Sequence, residues 1–92
     1  MFYLVCFDIV DDRKRYRVVK ALKGYGVRVQ KSVFECPDLN EEKLLRLIHT
    51  IEDIIDQTED SVRFYPLCRR CYSGIEFTGI GEAPVKSTFM VV

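Results

Sequence analysis

The chain has 92 residues, with 14 Lys+Arg balancing 14 Asp+Glu and a single histidine, so its formal net charge is zero. At 48% apolar and 30% charged residues it has the composition of one folded domain, which excludes a disordered chain. Taken alone, the zero charge also argues against a protein wrapped in nucleic acid or spread on an anionic membrane.

Phe2 to Ile9, FYLVCFDI, is a nearly continuous apolar run rich in aromatic and β-branched residues, the pattern of a strand buried on both faces. Alternation puts Phe2, Leu4, Cys6 and Asp8 on one face and Tyr3, Val5, Phe7 and Ile9 on the other, so a carboxylate ends the strand. Asp11 or Asp12 can cap a helix running to about Tyr25, with Gly24 and Gly26 ending it. At helical spacing Val18, Val19, Leu22 and Tyr25 form its buried face, and Arg13, Arg17, Lys20 and Lys23 form a basic stripe opposite. Val27 to Cys36 is extended, and Gln30-Lys31-Ser32 can divide it into two short strands. Asp38 or Asn40 then caps a second helix, in which Leu44, Ile48, Ile51 and Ile55 recur on one side until QTEDS ends it. Ser61 to Cys68 is a strand that Pro66 places at an edge or a bulge. IEFTGIG and STFMVV follow as short strands with little chain left to cover them, which implies pairing elsewhere.

This order predicts an α+β chain: a ferredoxin-like sandwich, one domain over residues 1–92, with two helices on one face of an antiparallel sheet. The first strand is apolar on both faces, and a second copy of the chain is the simplest cover for the side the helices leave bare. No apolar run approaches the ~20 residues a spanning helix needs. Met1 leads into FYLVCF without a basic leader or cleavage site, so a cytoplasmic location and free thiols at Cys6, Cys36, Cys68 and Cys71 are expected.

Asp8 is the sharpest chemical feature. A carboxylate ending a buried strand, followed by Asp11, Asp12 and a basic helix, can hold Mg²⁺ beside a phosphate, because that ion takes one or two protein carboxylates and completes its shell with water and phosphate oxygens. One Asp8 per chain is thin, and a nearby two-fold axis would supply a second. The same residue can instead serve only to cap the β–α turn.

RKRYR is also the composition of a solvated helix face. Regional charge weighs against that bland account: residues 1–34 hold eight Lys/Arg against three Asp, residues 35–60 two against nine acids, and residues 61–92 four against two. The zero is therefore a sum of opposed blocks. A basic face of this kind tracks phosphates without reading sequence, and the acidic second helix is expected to face away from it. Cys68-x-x-Cys71 lacks the second ligand pair that a zinc site needs, Cys6 and Cys36 look like small core residues, and His49 suits a structural role within the second helix. No Gly-rich phosphate loop or nucleophile elbow is present.

Taken together, FYLVCFDIVDDRKRYRVVKALKGYGVRVQKSVFEC and the later VRFYPLC resemble the CRISPR-associated protein 2 family, from residue 1 to about residue 71. The resemblance implies a ferredoxin-like homodimer whose C-terminal strand pairs with the partner's sheet. It also implies association with the CRISPR integrase and, in many members, magnesium-dependent cleavage of RNA or DNA. By position, Asp8 matches the family's metal-binding aspartate, Arg15 and Arg17 its basic helix residues, Arg28 the arginine of GVRVQ, and Phe34 the aromatic of SVFE. Arg13 and Lys20 extend the expected nucleic-acid surface, and Phe7 stands where many members carry tyrosine. The helical wheel places Arg15 near the buried face and Arg17 in the basic stripe. Two roles are thus expected, a dimeric Mg²⁺-dependent endonuclease and an architectural adaptor bridging integrase subunits on DNA. A ferredoxin-like module binding a small ligand is a third, and it predicts negligible nucleic-acid affinity even at low salt.

Overall fold

Strand alternation along Phe2–Asp8 (β1) decides the layering of the molecule. The computed structural model describes residues 1–81. In it β1 is followed by helix α1 (Asp12–Leu22), strands β2 (Val27–Gln30) and β3 (Val33–Cys36), helix α2 (Glu41–Glu52), strand β4 (Ser61–Leu67) and the short helix α3 (Arg69–Ser73). The sheet order is β2-β3-β1-β4, with every neighbouring pair antiparallel. This is the α+β sandwich the sequence predicts.

Val5, Phe7 and Ile9 point from β1 into the main core, where they meet Val18, Val19 and Leu22 of α1 and Leu47 and Ile51 of α2. Register carries Phe34 and Phe64 to the same layer, since both pair with Val5. Asp11 caps α1 by accepting a bond from Lys14 N at 2.9 Å, and Asn40 caps α2 by accepting from Lys43 N at 2.8 Å. Helix α1 stops at Leu22, short of the expected Tyr25, and Lys23–Gly26 is a turn in which Tyr25 N and Gly26 N both bond Leu22 O. Gly26 is obligatory there, because a Cβ would collide with Glu35 O and Cys36 Sγ of β3.

Three expectations need correction. The buried stripe of α2 centres on Leu47, fully buried, with Leu44, Ile48 and Ile55 at its margins, and the helix ends at Glu52 rather than at QTEDS. Residues 75–81 form no strand, and Gly79 and Gly81 there adopt positive φ. The far side of the sheet is not left wholly to a second copy. Tyr72 of α3 is buried against Phe2, ring centroids 4.5 Å apart, with Leu4, Leu67 and Ile75 packed around them. The chain thus caps one end of its own open face, because β4 leads into α3 before the backbone can leave the sheet. The expected STFMVV strand lies outside the described residues. Among the described residues no helix is long and apolar enough to cross a membrane.

Candidate nucleic-acid and metal site

The end of β1 carries Asp8 on the open face of the sheet, while α1, packed on the other face, carries Arg13, Arg17 and Lys20 on its outer side. Asp8 is the last residue of β1, pairs with Ser61 of β4, and lies exposed on the open face together with Cys6 and Arg63. Among the described residues no hydrogen bond or ion pair engages its carboxylate, so it is available to a cation or a phosphate-bound water. Arg63 is its diagonal neighbour across the β1–β4 ladder and donates to the Tyr65 hydroxyl at 3.3 Å.

The β1–α1 turn is held from two directions. Val10 N donates to Asp60 Oδ1 at 3.0 Å, while Asp60 Oδ2 accepts from Asp56 N at 2.8 Å. Asp56 in turn accepts from the Thr58 hydroxyl and the Thr58 backbone N–H, which hold its carboxyl below the ordinary value, with Lys14 nearby assisting. From the other side Arg15 donates through Nε and Nη2 to Ile9 O at 3.1 and 2.9 Å, through Nη2 to Val10 O at 3.2 Å, and through Nη1 to Asp12 at 2.6 Å. Its guanidinium is therefore occupied in fastening the turn. Arg15 lies at the edge of the buried face of α1, its side chain 32% exposed.

Arg13, Arg17 and Lys20 are exposed on the opposite side of α1, and no ion pair ties them down among the described residues. Arg28 is exposed on β2, with Nε and Nη2 donating to Lys31 O at 3.1 and 2.6 Å, so it closes the β2–β3 turn. Phe7 and Phe34 are core residues, 5% and 0% exposed, with ring centroids 6.3 Å apart. They shape the strand that carries Asp8 and do not reach solvent. A hydroxyl at position 7 would be directed into the core.

The acidic block divides. Helix α2 keeps Glu41, Glu42 and Glu52 exposed, but the loop after it returns Asp56 and Asp60 to the foot of α1. Asp60 is a residue that periodicity could not single out, because its partner is fifty positions away.

As a metal site, Asp8 offers a hard cation one free carboxylate, within the habit of Mg²⁺, but one chain offers no more. Among the described residues no group of three or more His, Cys, Asp or Glu could hold a metal ion. Cys68, at the N-cap of α3, and Cys71, within it, are exposed; the Cys71 backbone N–H and then its thiol lower the Cys68 thiol, and the hydrogen bond and charge of Cys68 raise that of Cys71. Burial pushes the Cys36 thiol up to about 11.

Comparisons with known proteins agree with this geometry. A family profile described as CRISPR associated protein Cas2 matches residues 1–75. A Chloroflexus aurantiacus protein named CRISPR-associated endoribonuclease Cas2 1 is 42% identical over 88 residues, spanning 95% of this chain and 94% of its own. The crystal structure of Streptococcus pyogenes Cas2 superposes with a TM-score of 0.76 at 33% identity, covering 86% of this chain and 100% of that one. A chain of a partial Cas6-RT-Cas1–Cas2 complex gives 0.73 at 32% identity, covering 91% and 94%. An antiparallel β2-β3-β1-β4 sheet, a free aspartate closing its first strand and a matching profile over most of the length lead to one conclusion: the chain belongs to the CRISPR associated protein Cas2 family.

Proposed function

We propose that this chain is a dimeric subunit of CRISPR adaptation that grips the backbone of a nucleic acid with the basic face of α1 and bridges integrase subunits. The observation that carries the proposal is the trio Arg13, Arg17 and Lys20, exposed on the outer face of α1 and without an ion pair among the described residues. Three cations on one helix face attract phosphates whatever the base sequence, at an affinity that falls steeply with salt. The neutral total is no obstacle, since only charge within about a Debye length, ~8–10 Å, acts on a given phosphate. The open sheet face beyond α3, with Cys6, Val33 and Tyr65 incompletely covered, supports contact with a second copy.

The nuclease role requires a divalent cation, and Mg²⁺ suits the donor available. Asp8 of each protomer would hold it. When bound, the ion supplies charge neutralisation at a scissile phosphate and acidifies a coordinated water. Arg13, Arg17 and Lys20 position the backbone, and the fastened β1–α1 turn keeps Asp8 and α1 in fixed relation. Cytoplasmic adaptation complexes are where such a subunit would act.

Labelled RNA and DNA incubated with protein and Mg²⁺, or with EDTA, test both roles. Asp8→Asn should abolish cleavage while leaving binding and dimer mass unchanged, and equal cleavage by wild type and variant would remove the metal role. Spacer acquisition by Asp8→Asn would then mark the adaptor role as the operative one. Charge reversal at Arg13 and Arg17 should abolish acquisition, and intact acquisition with intact binding would overturn the proposal as a whole.

A further inference from the structure

Tyr16 stands on the flank of the basic face, between Arg13 and Lys20 along the helix, and nothing within the described chain covers it. It is 67% exposed, whereas the apolar residues of the buried stripe, Val18, Val19 and Leu22, are 0%, 7% and 0% exposed. Helix α1 thus sorts apolar from polar residues cleanly everywhere except at this aromatic ring. At 100° per residue, Arg13, Tyr16, Arg17 and Lys20 fall within about 100° of arc, opposite the buried stripe. Arg13 precedes Tyr16 by one turn, Lys20 follows it by one turn, and Arg17 is adjacent in sequence. Asp12, Arg13, Tyr16 and Arg17 line a shallow concavity of about 400 Å³. The one acid in that rim, Asp12, is paired with Arg15 at 2.6 Å, so its charge opposes a phosphate less than an unpaired carboxylate would. Another exposed tyrosine, Tyr65, differs in that its hydroxyl already accepts from Arg63.

A flat ring held among cations is the arrangement that single-stranded nucleic acid recognises: phosphates lie along the charges and a base stacks on the ring. Phosphate contacts alone do not separate one strand from two. A ring does, because in a closed duplex each base face is already stacked on its neighbour, and in a single strand it is free.

We infer that Tyr16 is a nucleobase-stacking platform, and that the α1 face therefore binds single-stranded nucleic acid more tightly than closed duplex. The inference rests on the basic-face reading above and specifies its ligand. Full-length protein carrying Tyr16→Phe, Tyr16→Leu or Arg17→Glu is titrated against a labelled oligothymidine and against a closed hairpin duplex, with anisotropy as readout. Wild type and Tyr16→Phe should bind the single strand alike, and Tyr16→Leu should weaken it about 5- to 100-fold, the range set by one stacked base. Tyr16→Leu should leave hairpin affinity and the slope of affinity against salt unchanged. A 2-aminopurine placed in the single strand should be quenched by wild type and not by Tyr16→Leu. Circular dichroism of Tyr16→Leu guards against misfolding, which solvent exposure of the site makes unthreatening. If Tyr16→Leu binds the single strand as wild type does while Arg17→Glu weakens both ligands, the stacking role is overturned and the basic face stands. If Arg17→Glu changes neither ligand, the basic-face reading is overturned, and the stacking role falls with it.

Discussion

Truncating Arg15 separates fastening from binding. In Arg15→Ala the carbonyls of Ile9 and Val10 lose three hydrogen bonds from a guanidinium and Asp12 loses its ion pair. Charge-assisted bonds contribute about 1.5–3 kcal/mol where they are buried. Here the Arg15 side chain is 32% exposed and Asp12 92%, so the ion pair adds only about 0–1 kcal/mol and the carbonyls regain water in part. The two bonds to Ile9 O are a forked contact to one atom and count for less than two independent bonds. A net loss of about 2 kcal/mol results, which lowers the melting temperature of a domain this size by about 10 °C. Urea and thermal unfolding at matched protein concentration measure it, matching being necessary because a dimer's midpoint shifts with concentration. Arg15→Lys should recover little, since an ammonium cannot make the forked contact. Unchanged stability in Arg15→Ala, together with a fall in nucleic-acid affinity as large as that of Arg17→Glu, would refute the fastening role and restore Arg15 to the contact surface.

Gly26→Ala should cost about 1–3 kcal/mol in urea unfolding, because its Cβ must displace Glu35 O or Cys36 Sγ, and an unchanged midpoint would show that the turn can move aside. Iodoacetamide should alkylate Cys68 first, its rate rising with pH through a midpoint below the usual thiol range, with Cys71 slower and buried Cys36 unreactive until unfolding; peptide mapping of the labelled sites decides it. Glu35 is half-buried and desolvation raises its carboxyl above the ordinary value, so the folded chain takes up a proton at higher pH than the unfolded chain does and loses stability as pH rises through that window. Glu35→Gln should therefore equal or exceed wild type in stability near pH 7, and the difference should shrink as pH falls and Glu35 protonates; a variant that is weaker at pH 7 would show that the carboxylate makes a favourable contact.

What was legible in the chain followed from local rules. Periodicity placed α1 with its buried Val18, Val19 and Leu22, the break expected at Gln30-Lys31-Ser32 separated β2 from β3 although Gln30 itself ends β2, and Asp8 closed β1 as alternation required. Pro66, expected at an edge or a bulge, lies in β4, an edge strand of the sheet among the described residues. The errors came where distant parts of the chain decide. Leu47 is the deepest apolar residue of α2 because of how that helix leans on α1 and the sheet, which no wheel of α2 alone contains. Tyr72 and α3 were invisible as a cap on Phe2, since RRCYSG carries no apolar repeat and five residues are too few for one. At the site, the free cations of α1 were readable from spacing. The commitments of Arg15 and Arg28 to backbone carbonyls were not, because side-chain-to-backbone bonds depend on turn geometry.

The tether from Asp60 to Val10 also orders events in time. It joins residues fifty positions apart, so this fastening of the turn, unlike the local one through Arg15, forms only once α2 and the loop before β4 have arrived. In exchange terms, the Val10 amide reports the opening of residues 56–60 as faithfully as that of its own turn. The root of the basic helix thus shares one of its fastenings with the segment that leads into β4, and loosening either is felt by the other.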